Sequence, residues 1–186
     1  MNIEKCKDMY KHKIEVTYKC RINAAERLKN IQGIIQFFNI YYSAIIAISS
    51  IYALTISKDS IQASRLSFVT TITSILLLIF TTFLNSKKYG ERARELKDNY
   101  IALGTISRKI ISCDNEDDIN KVGTKYDELL NNSENHSEVD YCKTLVEIKR
   151  ASSTQSFRYF LYLMVKNILA VLFFVIPLVM FYATCK

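Results

Sequence analysis

The chain has 186 residues, 49% of them hydrophobic, with 25 Lys and Arg against 18 Asp and Glu for a formal net charge of +7; that is one domain or a little more. Four Gly and one Pro are too few for the turns of a many-stranded sandwich or barrel, or for a glycine-rich phosphate loop. Five Cys behind a charged N-terminus with no cleavable signal pattern argue against a disulfide framework, and with two His any zinc site would have to come mainly from thiolates.

The first predicted element is a basic helical arm over 1–33. Tyr10, Ile14, Tyr18, Ile22, Ala25 and Leu28 fall on one helical face. Glu4, Asp8, Glu15 and Glu26 dilute the surrounding Lys and Arg, which favours packing on neighbouring helices over a nucleic-acid arm. The arm runs directly into 34–56, which is 23 residues without a charge, and 67–84 supplies 18 more. At 1.5 Å per residue these reach roughly 35 and 27 Å, on either side of a hydrocarbon core of about 30 Å. A core helix of a soluble bundle would show a charged face within two turns, and neither segment does. Residues 34–84 therefore read as a transmembrane hairpin.

Residues 85–157 read as a cytoplasmic helical region. Tyr89, Ala93, Leu96, Tyr100, Leu103 and Ile110 keep a 4,3 alternation, with Ser107 in the one gap, and predict a short coiled coil or a helix laid along a partner helix. The acids of 113–118 (CDNEDD) suit the start of a next helix carrying Ile119, Val122, Tyr126 and Leu129. The same stretch lacks the glycine and the twelfth-position acid of a calcium loop. Ser137-Glu138-Val139-Asp140 fits a capping box, opening a helix that is expected to continue through Tyr141, Leu145 and Ile148 into a third apolar segment over 158–186. That segment holds Lys166 and, at its middle, Pro177, whose lost backbone bond must be repaired by a neighbour or accepted as a kink. It is expected to span, with a re-entrant or surface-lying, membrane-associated helix as the alternative.

The flanking charges predict orientation. Lys19, Arg21, Arg27 and Lys29 precede the first span, and Lys87, Lys88, Arg92, Arg94 and Lys97 follow the second, against only Lys58 and Arg65 between them. The positive-inside rule then places the N-terminus in the cytoplasm, with Lys186 alone beyond the third span. The arm carries eight Lys and Arg against four acids, whereas 85–157 carries twelve against thirteen. The basic excess is thus a topology signal and no direct nucleic-acid partner is expected. The fold class is an all-α membrane protein: amphipathic arm, hairpin, cytoplasmic helices with a short heptad stretch, and a C-terminal apolar helix.

Three constellations bear on chemistry. His136 and Asp140, four residues apart, share a helix face, but neither a third metal ligand nor a nucleophile accompanies them. No catalytic, metal or cofactor site is therefore expected, and a structural turn is favoured. The cysteines Cys6, Cys20, Cys113, Cys142 and Cys185 show no metal-binding spacing. In the spans, Ser67, Thr71, Ser74, Thr81 and Asn85 share one stripe, as do Ser43 and Ser50 with Gln36, Asn39, Ala47 and Ser57. Such stripes can line a narrow pore where several copies surround an axis, although hydroxyls also bond their own helix backbone or let helices approach.

The order of parts — arm, hairpin, basic exit Lys87-Lys88-Tyr89-Gly90-Glu91-Arg92-Ala93, Tyr126-Asp127-Glu128-Leu129-Leu130, Glu134-Asn135-His136, Asp140-Tyr141 and a last apolar segment — resembles the SLATT proteins. These are the SMODS and SLOG-associating two-transmembrane effectors of bacterial conflict systems, and the likeness is to their fifth, reverse-transcriptase-associated subgroup. The resemblance implies an inner-membrane effector of an anti-phage, abortive-infection system that forms an oligomeric pore when triggered by an upstream sensor, a reverse transcriptase among the candidates. It makes Tyr126, Glu134, Asn135, His136, Asp140 and Tyr141 a family signature of unassigned role. The alternative expectation is a non-pore anchor or adaptor that recruits a cytoplasmic partner through Tyr89, Leu96 and Leu103.

Overall fold

A computed structural model describes residues 3–56 and 61–185, with side chains to Ala183. Six helices, α1 (Ile3–Thr55), α2 (Ile61–Ser86), α3 (Tyr89–Ile111), α4 (Glu116–Asn131), α5 (Glu138–Glu147) and α6 (Ser153–Cys185), account for the fold, with no strand among the described residues. They form two compact units, one of 1–30 with 89–162 and one of 31–88 with 163–186. Ser57, Lys58 and Lys186 lie outside the described residues, as does the side chain of Cys185.

The first unit is built like a soluble bundle. Ile14 packs with Leu103, Ile106, Ile110 and Tyr126. Ala24, Ala25 and Leu28 meet Leu96, flanked by Tyr89, Ala93 and Tyr100. The heptad stretch of α3 is therefore laid along α1 and covered by α4 of the same chain, the second of the two expected arrangements rather than a coiled coil; Leu96 and Leu103 are fully buried and not open to an outside partner. Gly104, which weakens α3 as an isolated helix, lies beside Tyr18, where an added Cβ would come within 3.2 Å of the ring. Tyr18 also meets Tyr100 edge-on, with ring centroids 5.9 Å apart.

Both predicted helix starts form. Asn115 caps α4, accepting from the Asp118 N–H at 2.8 Å. Ser137 and Asp140 form the capping box of α5. The expected continuous helix from Ser137 into the last segment does not form. At the end of α5, Lys149 turns left-handed at φ 56°. The Lys149 N–H then bonds Val146 O at 3.1 Å and the Arg150 N–H bonds Leu145 O at 2.9 Å, a Schellman ending with lysine where glycine is usual. A second capping box restarts the chain: Ser152 N donates to Gln155 Oε1 at 2.9 Å, and Gln155 N to Ser152 Oγ at 3.3 Å.

The second unit is apolar on its outside. Of α2 only Ala63 and Leu66 are buried, while Phe68, Leu78 and Phe83 remain exposed. Helices α1 and α6, and the helical stretch containing α2, are each long and apolar enough to cross a membrane. A bundle that exposes this much hydrocarbon needs lipid around it. Its interior contacts are aromatic: Phe173 of α6 meets Phe38 of α1 at 5.9 Å and Phe80 of α2 at 6.1 Å, and Tyr41 stacks on Phe174 at 4.8 Å.

Pro177, the one proline, lies inside α6 and is buried. Lacking an N–H, it leaves the carbonyl four residues earlier, that of Phe173, without its helical donor. The Tyr42 hydroxyl donates to that carbonyl at 2.9 Å, and Tyr41 donates to the next one, Phe174 O, also at 2.9 Å. In hydrocarbon no water could do this, so Tyr42 of α1 repairs the break and Tyr41 adds a second tie one carbonyl on.

Candidate signature site

In the first unit, one face of α1 from Thr17 to Arg27 binds the segment that carries the signature. Thr17 Oγ1 and the Tyr126 hydroxyl lie 2.9 Å apart. Arg21, fully buried, donates through Nη1 to the Ser133 hydroxyl and the Glu134 carbonyl. Asn23 Nδ2 donates to Thr144 Oγ1 at 2.9 Å and Glu147 Oε2 at 3.0 Å. Arg27 forms a two-pronged pair with Asp140, Nε to Oδ1 at 2.8 Å and Nη2 to Oδ2 at 3.0 Å. Lys143 reaches back to Glu26 at 3.2 Å. Positions 17, 20, 21, 23, 24 and 27 form one helical stripe, so these polar groups, with Cys20 and Ala24 among them, make a docking ladder.

Arg21 and Arg27 therefore do more than mark orientation. Both engage the 133–147 segment, whereas a charge-counting rule treats them as solvated flanks. A polar residue at a helical core position is the signal that would have identified them, and Arg21 and Asn23 fit it: each lies three or four residues from an apolar core position of α1.

The signature residues converge in part. Asp140 is almost fully buried. Burial alone would raise its pKa, but the hydrogen bonds from Arg27 and from the Ser137 hydroxyl and backbone N–H prevail and hold it below the usual carboxylate range. Glu134 binds Arg92 Nε at 2.7 Å, and Arg92 in turn lies 5.8 Å over the Tyr89 ring. His136 packs against Tyr141 with ring centroids 6.1 Å apart. Burial, assisted by nearby Arg21 and opposed by Asp140, lowers the His136 pKa. Its Nδ1 is buried without a hydrogen-bond partner. Asn135 is exposed. No hydrogen bond joins His136 to Asp140 among the described residues, so the two do not assemble as an acid–base pair. Cys20, beside Thr144, has its pKa raised chiefly by burial, as expected of a packing thiol.

The hydroxyl stripes lie elsewhere, in the apolar unit. Ser67, Thr71, Ser74 and Asn85 on α2 and Ser43 and Ser50 on α1 are exposed, and Thr81 is half-exposed. Several hydroxyls bond their own helix: Thr71 to Ser67 O at 2.8 Å, Ser74 to Thr70 O at 2.6 Å, Thr81 to Leu77 O at 2.8 Å and Ser50 to Ile46 O at 2.8 Å. The unit's own packing thus consumes little of either stripe, while the Ser50, Thr71, Ser74 and Thr81 hydroxyls have their hydrogens satisfied.

A helical unit that exposes its apolar side chains, continuous in chain with one that buries them, defines an all-α protein with membrane-spanning helices. The family described as SMODS and SLOG-associating 2TM effector domain family 5 matches residues 3–184, and the chain belongs to it. It is accordingly a membrane effector domain of the kind found with defence systems. No curated protein and no solved structure matches it.

Proposed function

We propose that the protein is the pore-forming effector of an anti-phage, abortive-infection system, acting as a homo-oligomer in the bacterial inner membrane with its N-terminus in the cytoplasm. The observation that carries this reading is the exposure of the hydroxyl stripes on otherwise apolar spans. Ser67, Thr71, Ser74, Thr81 and Asn85, with Ser43 and Ser50, are left over by the packing of one chain, and one chain has too few spans to enclose a channel. Several copies around an axis would turn the stripes toward water. The signal arrives from an upstream sensor, a reverse transcriptase being the partner that the family association favours. Rearrangement of the 126–141 segment on α1 is the step that couples it, since α1 itself continues into the first span.

Expression with the trigger should collapse the membrane potential, read with a voltage-sensitive dye, and admit a small impermeant dye. Thr71→Leu or Ser74→Leu should reduce both signals at equal membrane protein level. Unchanged potential and dye uptake in triggered cells would remove the pore from consideration. An adaptor reading remains a competitor only through other faces of the first unit, because Leu96 and Leu103 are committed to the intramolecular core. It predicts that Thr71→Leu and Ser74→Leu keep full toxicity.

A further inference from the structure

The first unit contains a cleft of about 360 Å³ between the early part of α1, α4 and α5, a size within the range of small-molecule sites. Its floor is apolar and aromatic: Tyr126, Leu145, Ile148 and Val16, with Tyr141 and His136 at one wall. Its exposed rim carries two cations, Lys13 and Arg150, beside the His12 ring. No Asp or Glu lines it. Lys13 has no ion-pair partner among the described residues, and Arg150 meets only the ring of His12, Nη1 to Nε2 at 3.3 Å. Two carboxylates of the signature segment are already engaged elsewhere, Glu134 by Arg92 and Asp140 by Arg27. Close to His136 and Tyr126, Arg21 adds a buried guanidinium whose Nε and Nη2 make no hydrogen bond.

Two uncompensated cations across an apolar floor suit a dianion better than a monoanion, and a ligand with a body better than a bare ion. We propose that the cleft binds a small phosphate monoester with a ring or aliphatic body, its phosphate on Lys13 and Arg150 and its body on Tyr141, Leu145 and Ile148. Arg150 offers a two-pronged donor and Lys13 a point charge, the usual division of labour in phosphate recognition. Thr17 and His12 stand within the same lining to take further phosphate oxygens. A ligand seated there would touch α1, the signature loop through His136 and the α5 exit together. The inference does not rest on pore formation, because binding is read without any conductance.

The test is calorimetric titration of the full chain in phosphatidylcholine nanodiscs with three probes: phenyl phosphate, inorganic phosphate and benzyl alcohol. Phenyl phosphate should bind saturably at one per chain, and the other two at least about tenfold more weakly. Lys13→Gln with Arg150→Gln should weaken phenyl phosphate about tenfold or more, since each removes a charge-assisted hydrogen bond. Lys97→Gln with Lys109→Gln, exposed cations outside the cleft, should leave it unchanged. Both rim side chains are solvent-facing, so the thermal midpoint without ligand should not move; if it does, the charge reversal Lys13→Glu takes the place of the double variant. Absence of saturable binding, equal binding of inorganic phosphate, or undiminished affinity in the rim variants would each overturn the proposal.

Discussion

Asp140 joins two roles that are separate in sequence: it closes the capping box of α5 through Ser137 and receives the Arg27 fork from α1. The box was legible in four consecutive residues. The Arg27 pair, 113 residues apart in the chain, was not, because its helical position can suggest that Arg27 is docked but nothing local names the partner. Asp140→Asn should keep the cap acceptor but leave Arg27 without its counter-charge. Arg27 is 24% exposed, which screens part of the loss and sets it at about 2–3 kcal/mol, measurable by denaturant unfolding of the first unit. The pH dependence has a defined sign. The folded pKa of Asp140 is depressed, so its contribution is complete above the unfolded carboxylate value of about 3.9 and is lost as pH falls through the folded pKa. The His136 pKa is also lowered by folding, so below about 6.5 the unfolded chain binds more protons and stability declines there too. Acidification should therefore destabilise the first unit from near pH 6.5 downward, followed by far-ultraviolet circular dichroism. His136→Gln should remove the near-neutral part of the decline and leave the acid part. Stability that stays flat between pH 7 and 5 would contradict the burial of His136.

At the scale of elements, helix starts were readable and one helix stop was not. Asn115 and Ser137 advertise their caps by residue type; Ser152-Ser153-Thr154-Gln155 carries the same kind of signal for α6, which the expectation of one continuous helix passed over. The end of α5 depends on Lys149 in a left-handed conformation, for which lysine gives no warning. Lys149→Gly should relieve that cost and stabilise the first unit by about 0.5–1 kcal/mol, seen as a raised denaturation midpoint; destabilisation would mean the Lys149 side chain contributes more than its backbone costs. The proline of α6 was equally readable as a break, but its repair by Tyr42 came from another helix. Tyr42→Phe keeps the ring and removes the donor to Phe173 O. It should cost about 1 kcal/mol in the apolar unit, measured by unfolding in mixed micelles. Ser50→Ala, whose hydroxyl bonds only its own helix, should cost much less.

For the whole molecule, the two units solve burial in opposite ways. The first hides apolar side chains and a polar ladder from water; the second turns its apolar side chains outward and joins its helices through aromatic rings and tyrosine hydroxyls. The positive flanking charges predict orientation only through those that remain solvated, such as Lys19, Lys29 and Lys97, which are exposed. An accessibility assay with a cysteine introduced at Lys97 should label from the cytoplasmic side only. If copies associate through the stripes, a photo-crosslinker at Ser74 should give a closed ladder of species in membranes, and one at Tyr126, buried in the first unit, should give none. A monomer at both positions would count against assembly.

Hydropathy and helical spacing by themselves determined that the chain is all-α, that it carries spans, and where most helices begin, because these depend on local runs, caps and transfer free energy. They also carried the family resemblance, through short strings in a fixed order. Only the tertiary structure decided what α1 does with its polar face, where the α3 heptad is buried, and how the Pro177 break is mended. Each of these is a pairing between residues far apart in the chain, and a side chain's partner is chosen by packing. The +7 charge is the same sum in both views. In three dimensions part of it, at Arg21 and Arg27, is spent inside the fold, and part, at Lys13 and Arg150, faces an uncharged cleft.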